Sequence, residues 1–146
     1  MKPSLHFWAG VRAELPLLVG VFPFGLIYGT LALGAGLSVS AAQGMSSIVF
    51  AGSSQFAATQ LVRDSAPALV IVFTIAIVNL RHMLYSASTA IYLKDLSLRW
   101  KILLAYLMTD EAYAVSILNF ERVGGTLLAG GHWYFLGAGL SLWTTW

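Results

Sequence analysis

The sequence predicts an all-α integral membrane protein with about five transmembrane helices. The chain is 58% hydrophobic, and only 10% of its 146 residues are charged, against roughly 25% in an ordinary soluble domain. Its mean hydropathy is +0.79. The few charges are clustered, so that no Asp, Glu, Lys or Arg lies between Glu14 and Arg63 or between Asp64 and Arg81. The first of these gaps is long enough for two helices of the ~20 residues that a bilayer requires.

Several functional classes are excluded by composition and motifs. The net charge is +2, but the Lys and Arg residues form no basic patch, so a nucleic-acid partner is not expected. The chain has no cysteine, which excludes disulfides and thiolate metal sites. His6, His82 and His132 are too scattered to predict a metal site. The sequence contains no HExxH, Walker A or GxGxxG motif, and we expect neither a cofactor nor enzymatic activity.

Short polar connections separate the apolar segments. The predicted spans run from about 15 to 37, 41 to 62, 68 to 93, 102 to 120, and from 127 to the last residue. Ser38 and Ser40 are predicted to mark a turn and to cap the second span, and Pro67 to start the third. No linker or change in composition divides the chain, so we expect a single transmembrane domain over residues 1–146. Because the last apolar segment is still running at Trp146, we expect this domain to be incomplete at its C-terminus.

The first span contains a proline and a glycine pair that are unusual inside a helix. Pro23 has no N–H to donate, which predicts a break or kink near this residue and Gly25. Gly25 and Gly29 also form a GxxxG pattern, which favours close contact with a neighbouring helix.

The second span contains a polar stretch in its middle, at Gly52, Ser53, Ser54 and Gln55. Glycine lowers the helix propensity, and the three polar side chains offer hydrogen-bond donors and acceptors. One interpretation is a discontinuous helix near Gly52, whose free backbone groups bind the carboxylate or ammonium group of a substrate. The other is a continuous helix with small residues at a packing face.

The third span contains a cation near its centre. Arg81 lies 13 residues before Lys94, which is ~20 Å along a helix and near the middle of the bilayer. An arginine there costs at least ~2.5–3.5 kcal/mol, so Arg81 must face the protein interior, a water cavity or a counter-charge. Asn79 and His82 share one helix face, and Arg81 and Tyr85 share a neighbouring one. We interpret this group as a substrate, ion or proton site; the alternative is a structural polar network.

The fourth span contains two adjacent acids, Asp110 and Glu111. Asp110 lies nine residues after Lys101, or ~14 Å into the span, at a depth comparable with that of Arg81. A pair between Arg81 and one acid would reduce the cost of burying both charges. Neighbouring side chains on a helix diverge by ~100°, so the other acid would be left to exchange a proton. The alternative is that the span begins later and the acids lie at the interface.

Four motifs follow one another along the chain. They are Pro-Phe-Gly at 23–25 with Tyr28-Gly29, the segment 50–56 after Met45, Asn79-Leu80-Arg81-His82 with Tyr85, and Thr109-Asp110-Glu111 with Tyr113. In these motifs the chain, from about Ala13 to Gly139, resembles the AzlC-like family, the large permease subunit of branched-chain amino acid exporters. Members of that family are usually longer, which also predicts an incomplete permease here.

The resemblance implies export of leucine, isoleucine or valine, with methionine as a further candidate substrate, across a bacterial inner membrane. It also implies that the proton gradient supplies the energy and that a small membrane subunit of the AzlD type is the partner. In such a permease Arg81 would bind the substrate carboxylate through its planar fork. Asp110 or Glu111 would receive the ammonium group or exchange a proton, and residues 52–55 would add backbone and hydroxyl contacts.

Two other functions compete with the transport hypothesis. In the first, the chain is a non-transporting membrane subunit whose polar residues hold a complex together. In the second, Ser53 or Ser54 forms a hydrolytic pair with His82, although no Gly-x-Ser-x-Gly elbow is present.

Overall fold

The computed structural model describes residues 2–122 and 130–146, and within them every regular element is a helix. The elements are α1 (Pro3–Gly34), α2 (Val39–Gly44), a π-helical segment (Met45–Val49), α3 (Gly52–Arg63), α4 (Ala68–Asn79), α5 (Arg81–Leu93), α6 (Leu98–Tyr106), α7 (Asp110–Arg122) and α8 (Gly131–Thr145). The predicted all-α class is confirmed.

Helix α1 is longer than the predicted first span and begins at Pro3 rather than near residue 15. Proline suits the first turn of a helix because its missing N–H would have no partner there. Arg12 and Glu14, which the sequence analysis put before the span, are good helix formers and lie inside α1.

The predicted break near Pro23 and Gly25 is wrong, because α1 is helical through both residues. A proline in a helix removes one donor, and membrane helices tolerate it where the rest of the hydrogen-bond ladder persists. The helix ends instead at Gly34, and Gly36 just beyond it has a left-handed φ of 87°. Gly36 and Leu37 donate their N–H groups back to Leu33 and Ala32, which completes a Schellman motif.

Of the two interpretations of the second span, the discontinuous helix is confirmed and the continuous helix is wrong. Ser38 caps α2 as expected, because its hydroxyl accepts the N–H of Ala41 at 3.2 Å. Helix α2 continues into the π-helical segment, and the chain then leaves the helix at Phe50 and Ala51. Phe50 has a left-handed φ of 44° and Ala51 is extended at φ −144°. Helix α3 starts at Gly52 immediately after them.

The third predicted span, 68 to 93, matches the helical stretch Ala68–Leu93, whereas the fourth is interrupted. A turn at Leu80, whose N–H bonds the carbonyl of Ile77, separates α4 from α5. Residues 107–109 separate α6 from α7. Apolar residues flank both places, and polar residues lie directly at them, at 79–82 and at 109–111.

The last predicted span corresponds to α8, which begins at Gly131 rather than near residue 127. Residues 123–129 lie outside the described part of the chain. The connection between the fourth and fifth predicted spans falls mainly on these residues, and α7 ends just before them at Arg122.

Two helical stretches in the described residues are long and apolar enough to cross a membrane, at Pro3–Gly34 and Ala68–Leu93. The most apolar window of the first has 17% of its residues buried and that of the second 0%, whereas the core helix of a soluble protein is mostly buried. Leu69, Val72 and Phe73 are among the many large apolar side chains that are exposed. Such a surface is compatible with lipid and costly in water.

The residues fall into two compact units. The first unit comprises Met1–Val19 and His82–Thr145, and the second comprises Gly20–Arg81 with Trp146. In the first unit, α6 and α7 both pack against α8. In the second unit, α3 packs against α4, and a small core is centred on Tyr28, Ala32 and Ala42.

Candidate functional site

Each of the three polar motifs lies at the start of a half-helix. Gly52 is the first residue of α3, Arg81 the first of α5 and Asp110 the first of α7. Helix starts have backbone N–H groups without intrahelical partners and a partial positive charge. The motifs at Gly52 and Asp110 therefore lie at interruptions of their spans, whereas Arg81 follows a single turn residue, Leu80, within the stretch Ala68–Leu93.

In the second unit, Gln55 holds the broken helix together. The side chain is fully buried, at 0% exposure. Its carbonyl oxygen accepts the N–H of Ala51 at 3.2 Å and the indole N–H of Trp146 at 3.0 Å. Its amide nitrogen donates to the hydroxyl of Ser46 at 3.2 Å. Gln55, predicted as a substrate contact, thus makes structural hydrogen bonds on both sides of the break at Phe50.

Trp146 and Ser46 are two partners of this site that the sequence analysis missed. The Trp146 ring stacks on Tyr28 with a centroid distance of 6.0 Å. Gly52 lies beneath the same indole, and a Cβ there would be 3.2 Å from the ring. This close approach gives a physical reason for a glycine at the first position of α3.

The two serines after Gly52 have different partners. Ser53 is exposed, and its hydroxyl accepts a hydrogen bond from a terminal nitrogen of Arg81 at 2.7 Å. Ser54 is fully buried, and its hydroxyl donates to the amide oxygen of Asn79 at 2.5 Å. The predicted group 52–55 and the predicted pair Asn79 and Arg81 are thus brought together in the second unit.

These contacts do not favour the alternative in which Ser53 or Ser54 forms a hydrolytic pair with His82. An activated serine needs a neighbouring base that takes its proton. Ser53 is instead an acceptor from a guanidinium, and Ser54 donates to a neutral amide. Neither partner is a general base.

In the first unit, aromatic rings connect two of the predicted motifs. Tyr85 on α5 stacks on Tyr113 of α7 with a centroid distance of 4.5 Å. The Tyr113 hydroxyl donates to Ser88, also on α5, at 3.1 Å. The His82 ring lies edge-on to Tyr85 at 6.0 Å. His82, Tyr85 and the start of α7 therefore belong to one packed region.

The acids Asp110 and Glu111 lie in the first turn of α7 rather than at the middle of a continuous helix. Thr109 caps this turn, because its hydroxyl accepts the N–H of Ala112 at 3.3 Å. Carboxylates are favoured at such a position by the helix dipole. Arg81 belongs to the second unit and the acids to the first, and their pairing stays a prediction.

The comparisons with known proteins decide the family. The model of the family described as "AzlC protein" matches residues 16–146. This chain belongs to the AzlC protein family. No solved structure matches it.

Named relatives of this AzlC chain are membrane proteins. An uncharacterized membrane protein of Archaeoglobus fulgidus is 34% identical over 122 residues, which are 84% of this chain and 53% of that protein. The inner membrane protein YgaZ of Escherichia coli is 26% identical over 98% of this chain and 58% of its own length. The branched-chain amino acid transport protein AzlC of Bacillus subtilis is 26% identical, over 80% of this chain and 47% of that protein. The chain thus spans about half the length of these relatives and is, like them, a membrane protein.

The AzlC chain contains one further acidic residue that the sequence analysis did not include in the site. Glu14 on α1 is 0% exposed, and neither carboxyl oxygen has a hydrogen-bond partner among residues 2–122 and 130–146. A signal in the sequence was the apolar pair Phe7 and Trp8 before Glu14, and α1 does include both residues. In the described residues no group of three His, Asp or Glu side chains is arranged to hold a metal ion.

Proposed function

We propose that this chain is the permease subunit of a branched-chain amino acid exporter, driven by the proton gradient. Its substrates would be leucine, isoleucine and valine, with methionine as a further candidate. Family membership and the name of the Bacillus subtilis relative support transport of this class. The observation that carries the proposal is the hydrogen bond between Arg81 and Ser53 at the start of α3, directly after a broken helix.

This arrangement is suited to binding a carboxylate. The start of α3 presents backbone N–H groups and the positive end of a helix dipole. The Arg81 guanidinium, 2.7 Å from Ser53, adds a full positive charge and a planar set of donors that matches a carboxylate. Broken membrane helices are known to bind anionic substrate groups in this way. We assign the substrate carboxylate to Arg81, Ser53 and the first turn of α3.

The ammonium group at the other end of an amino acid substrate needs a hydrogen-bond acceptor or a negative charge. The assignment of the ammonium group to Asp110 or Glu111 stays a prediction, as does proton exchange by the second acid. Both residues lie at the start of a half-helix in the first unit.

The partner and the location complete the proposal. We propose a small membrane subunit of the AzlD type and a bacterial inner membrane, and the printed name of the Escherichia coli relative supports the second point. Coexpression with such a subunit should raise the transport rate of the reconstituted protein. An unchanged rate, with no complex on purification, would count against this partner.

Transport by the purified protein in liposomes tests the main proposal. Efflux of labelled leucine should depend on the pH difference across the liposome membrane, and Arg81→Ala should abolish it. Arg81→Lys should recover little, because lysine supplies the charge without the planar fork. The matched control is Arg63→Ala, which removes an exposed arginine at the other end of α3. Normal leucine efflux by Arg81→Ala would remove Arg81 from the substrate site.

One observation favours the alternative of a non-transporting subunit. Ser54, Asn79 and Gln55 hydrogen-bond within the second unit, as the members of a structural network would. In that case the wild-type protein would move no leucine, and Arg81→Ala would lower the melting temperature instead.

A further inference from the structure

Glu14 is buried on the face of α1 that contacts α8. It lies one helical turn after Gly10, and residues four apart share a helix face. At Gly10 the two helices approach so closely that a Cβ would collide with the carbonyl oxygen of Tyr134. The reciprocal contact is at Gly137 on α8, where a Cβ would collide with the carbonyl of Phe7. This packing of backbone against backbone accounts for the complete burial of Glu14.

The surroundings of Glu14 contain a second acid. The carboxyl groups of Glu14 and Glu111, on α7, interact electrostatically, although they are far apart in sequence. From α8, the phenol of Tyr134 also interacts with Glu14. The positive charge of Arg122, at the end of α7, acts on Tyr134. All of these groups belong to the first unit.

A buried carboxylate without a partner is energetically unfavourable. An isolated charge in an apolar interior costs many kcal/mol, and folded proteins normally pair such groups or hydrogen-bond them. Neither oxygen of Glu14 has a hydrogen-bond partner in the described residues, so no hydrogen-bonded cation offsets its burial there. Binding a proton removes the charge and with it most of this cost.

We propose that Glu14 is a proton-binding site of this protein. When the proton leaves Glu14, a negative charge is created in the interior of the first unit, and it acts on Glu111 at the start of α7. The proton on Glu14 is thereby linked to the electrostatics at the start of α7. The coupling of this proton to amino acid export rests on the function proposed above.

Two transport assays separate proton coupling from substrate binding. Glu14→Gln keeps the shape of the side chain and cannot carry an exchangeable acidic proton. We expect leucine efflux driven by a pH gradient to fall to background, while exchange of labelled for unlabelled leucine stays at the wild-type level. The control Glu121→Gln removes an exposed acid at the end of α7 and should leave both assays unchanged. Gradient-driven efflux by Glu14→Gln with the wild-type pH dependence would overturn the proposal.

An infrared measurement tests the proton site without any substrate. The wild-type protein should show the carbonyl absorption of a protonated carboxylic acid, and Glu14→Gln should lose it. Identical spectra for the two proteins would overturn the proposal. If wild type transports no amino acid but this absorption is lost in Glu14→Gln, the proton site is supported and the proposed function alone fails.

A second variant covers the case in which Glu14→Gln does not fold. Glu14→Asp retains a carboxyl group and moves it by one methylene. We expect its infrared band to persist and to titrate over a different pH range from that of wild type. A band that titrates as in wild type would contradict the assignment to residue 14.

Discussion

In the second unit the polar side chains at the helix break are hydrogen-bonded to one another, whereas the carboxyl group of Glu14 in the first unit is buried with no hydrogen-bond partner among the described residues. Gln55 and Ser54 are fully buried and hydrogen-bonded within the second unit. Glu14 is equally buried in the first unit, yet both its oxygens lack partners in the described residues. Satisfied groups stabilise a defined geometry, and an unsatisfied acid is suited to changing its protonation state. The comparison supports the proposed carboxylate site in the second unit and the proposed proton site in the first.

The largest stability effect should come from Gln55. Gln55→Leu removes the acceptor for the backbone N–H of Ala51 and the indole N–H of Trp146. A buried donor left without a partner costs about 1–3 kcal/mol, and this variant leaves two. We expect a clear fall in the melting temperature of the purified protein in detergent.

Gln60→Leu is the matched control. Gln60 lies on the same helix and is exposed, and in the described part of the chain its side chain donates only to Asp64. Its melting temperature should remain close to that of wild type. Equal destabilisation by the two variants would mean that the hydrogen bonds at the break do not hold the second unit together.

The sequence predicted this part of the second unit well because the relevant signal is local. A glycine followed by three polar residues in an apolar span indicates an interruption, and α3 begins at that glycine. The role of Gln55 was not predictable, because its partners include Trp146, 91 residues away. No spacing rule connects the two residues.

Disruption of the contact between α1 and α8 should have the next largest effect on stability. Gly10→Ala puts a methyl group against the backbone of Tyr134, which cannot move as a side chain would. Overpacking of this kind costs about 1–3 kcal/mol. It should also disturb Glu14, one turn away, and weaken gradient-driven transport.

Gly20→Ala controls for the substitution itself, because a Cβ at Gly20 on α1 meets nothing within 4 Å. That variant should be as stable as wild type or slightly more so, since alanine is the better helix former. Tolerance of Gly10→Ala would show that the close α1–α8 contact is not needed to bury Glu14.

The burial of Glu14 illustrates what the sequence could not supply. The charge at residue 14 suggested a membrane edge, and the first span was therefore predicted to start after it. Burial of Glu14 depends on α8, more than a hundred residues later, and on glycines at the contact. Pro23 is the converse case: a strong local signal predicted a break, and α1 continues through it.

The adjacent serines 53 and 54 separate binding from stability within the second unit. Ser54→Ala removes the buried hydrogen bond to Asn79, and a loss of about 0.5–1.5 kcal/mol is expected. Ser53→Ala removes an exposed contact with Arg81 and should leave the melting temperature unchanged. Its effect should instead be a raised KM for leucine. Identical KM values for Ser53→Ala and wild type would exclude Ser53 from the carboxylate site.

The interruption between α6 and α7 allows the comparison of the two units to be tested in the first unit. The sequence did carry a signal here: threonine followed by two acids is typical of a helix start, and Thr109 caps α7. The apolar residues on both sides make this signal hard to see in the hydropathy pattern.

Thr109→Ala should lower the free energy of unfolding by about 0.5 kcal/mol. This is at the low end for the loss of a cap, because the hydrogen bond is long, at 3.3 Å. Thr109→Ser retains the hydroxyl and should restore the wild-type melting temperature. Thr109→Ala should also shift the pH dependence of transport, and Thr109→Ser should not, if the start of α7 positions Glu111 for proton coupling. An unshifted pH profile of Thr109→Ala would mean that the cap only stabilises the helix.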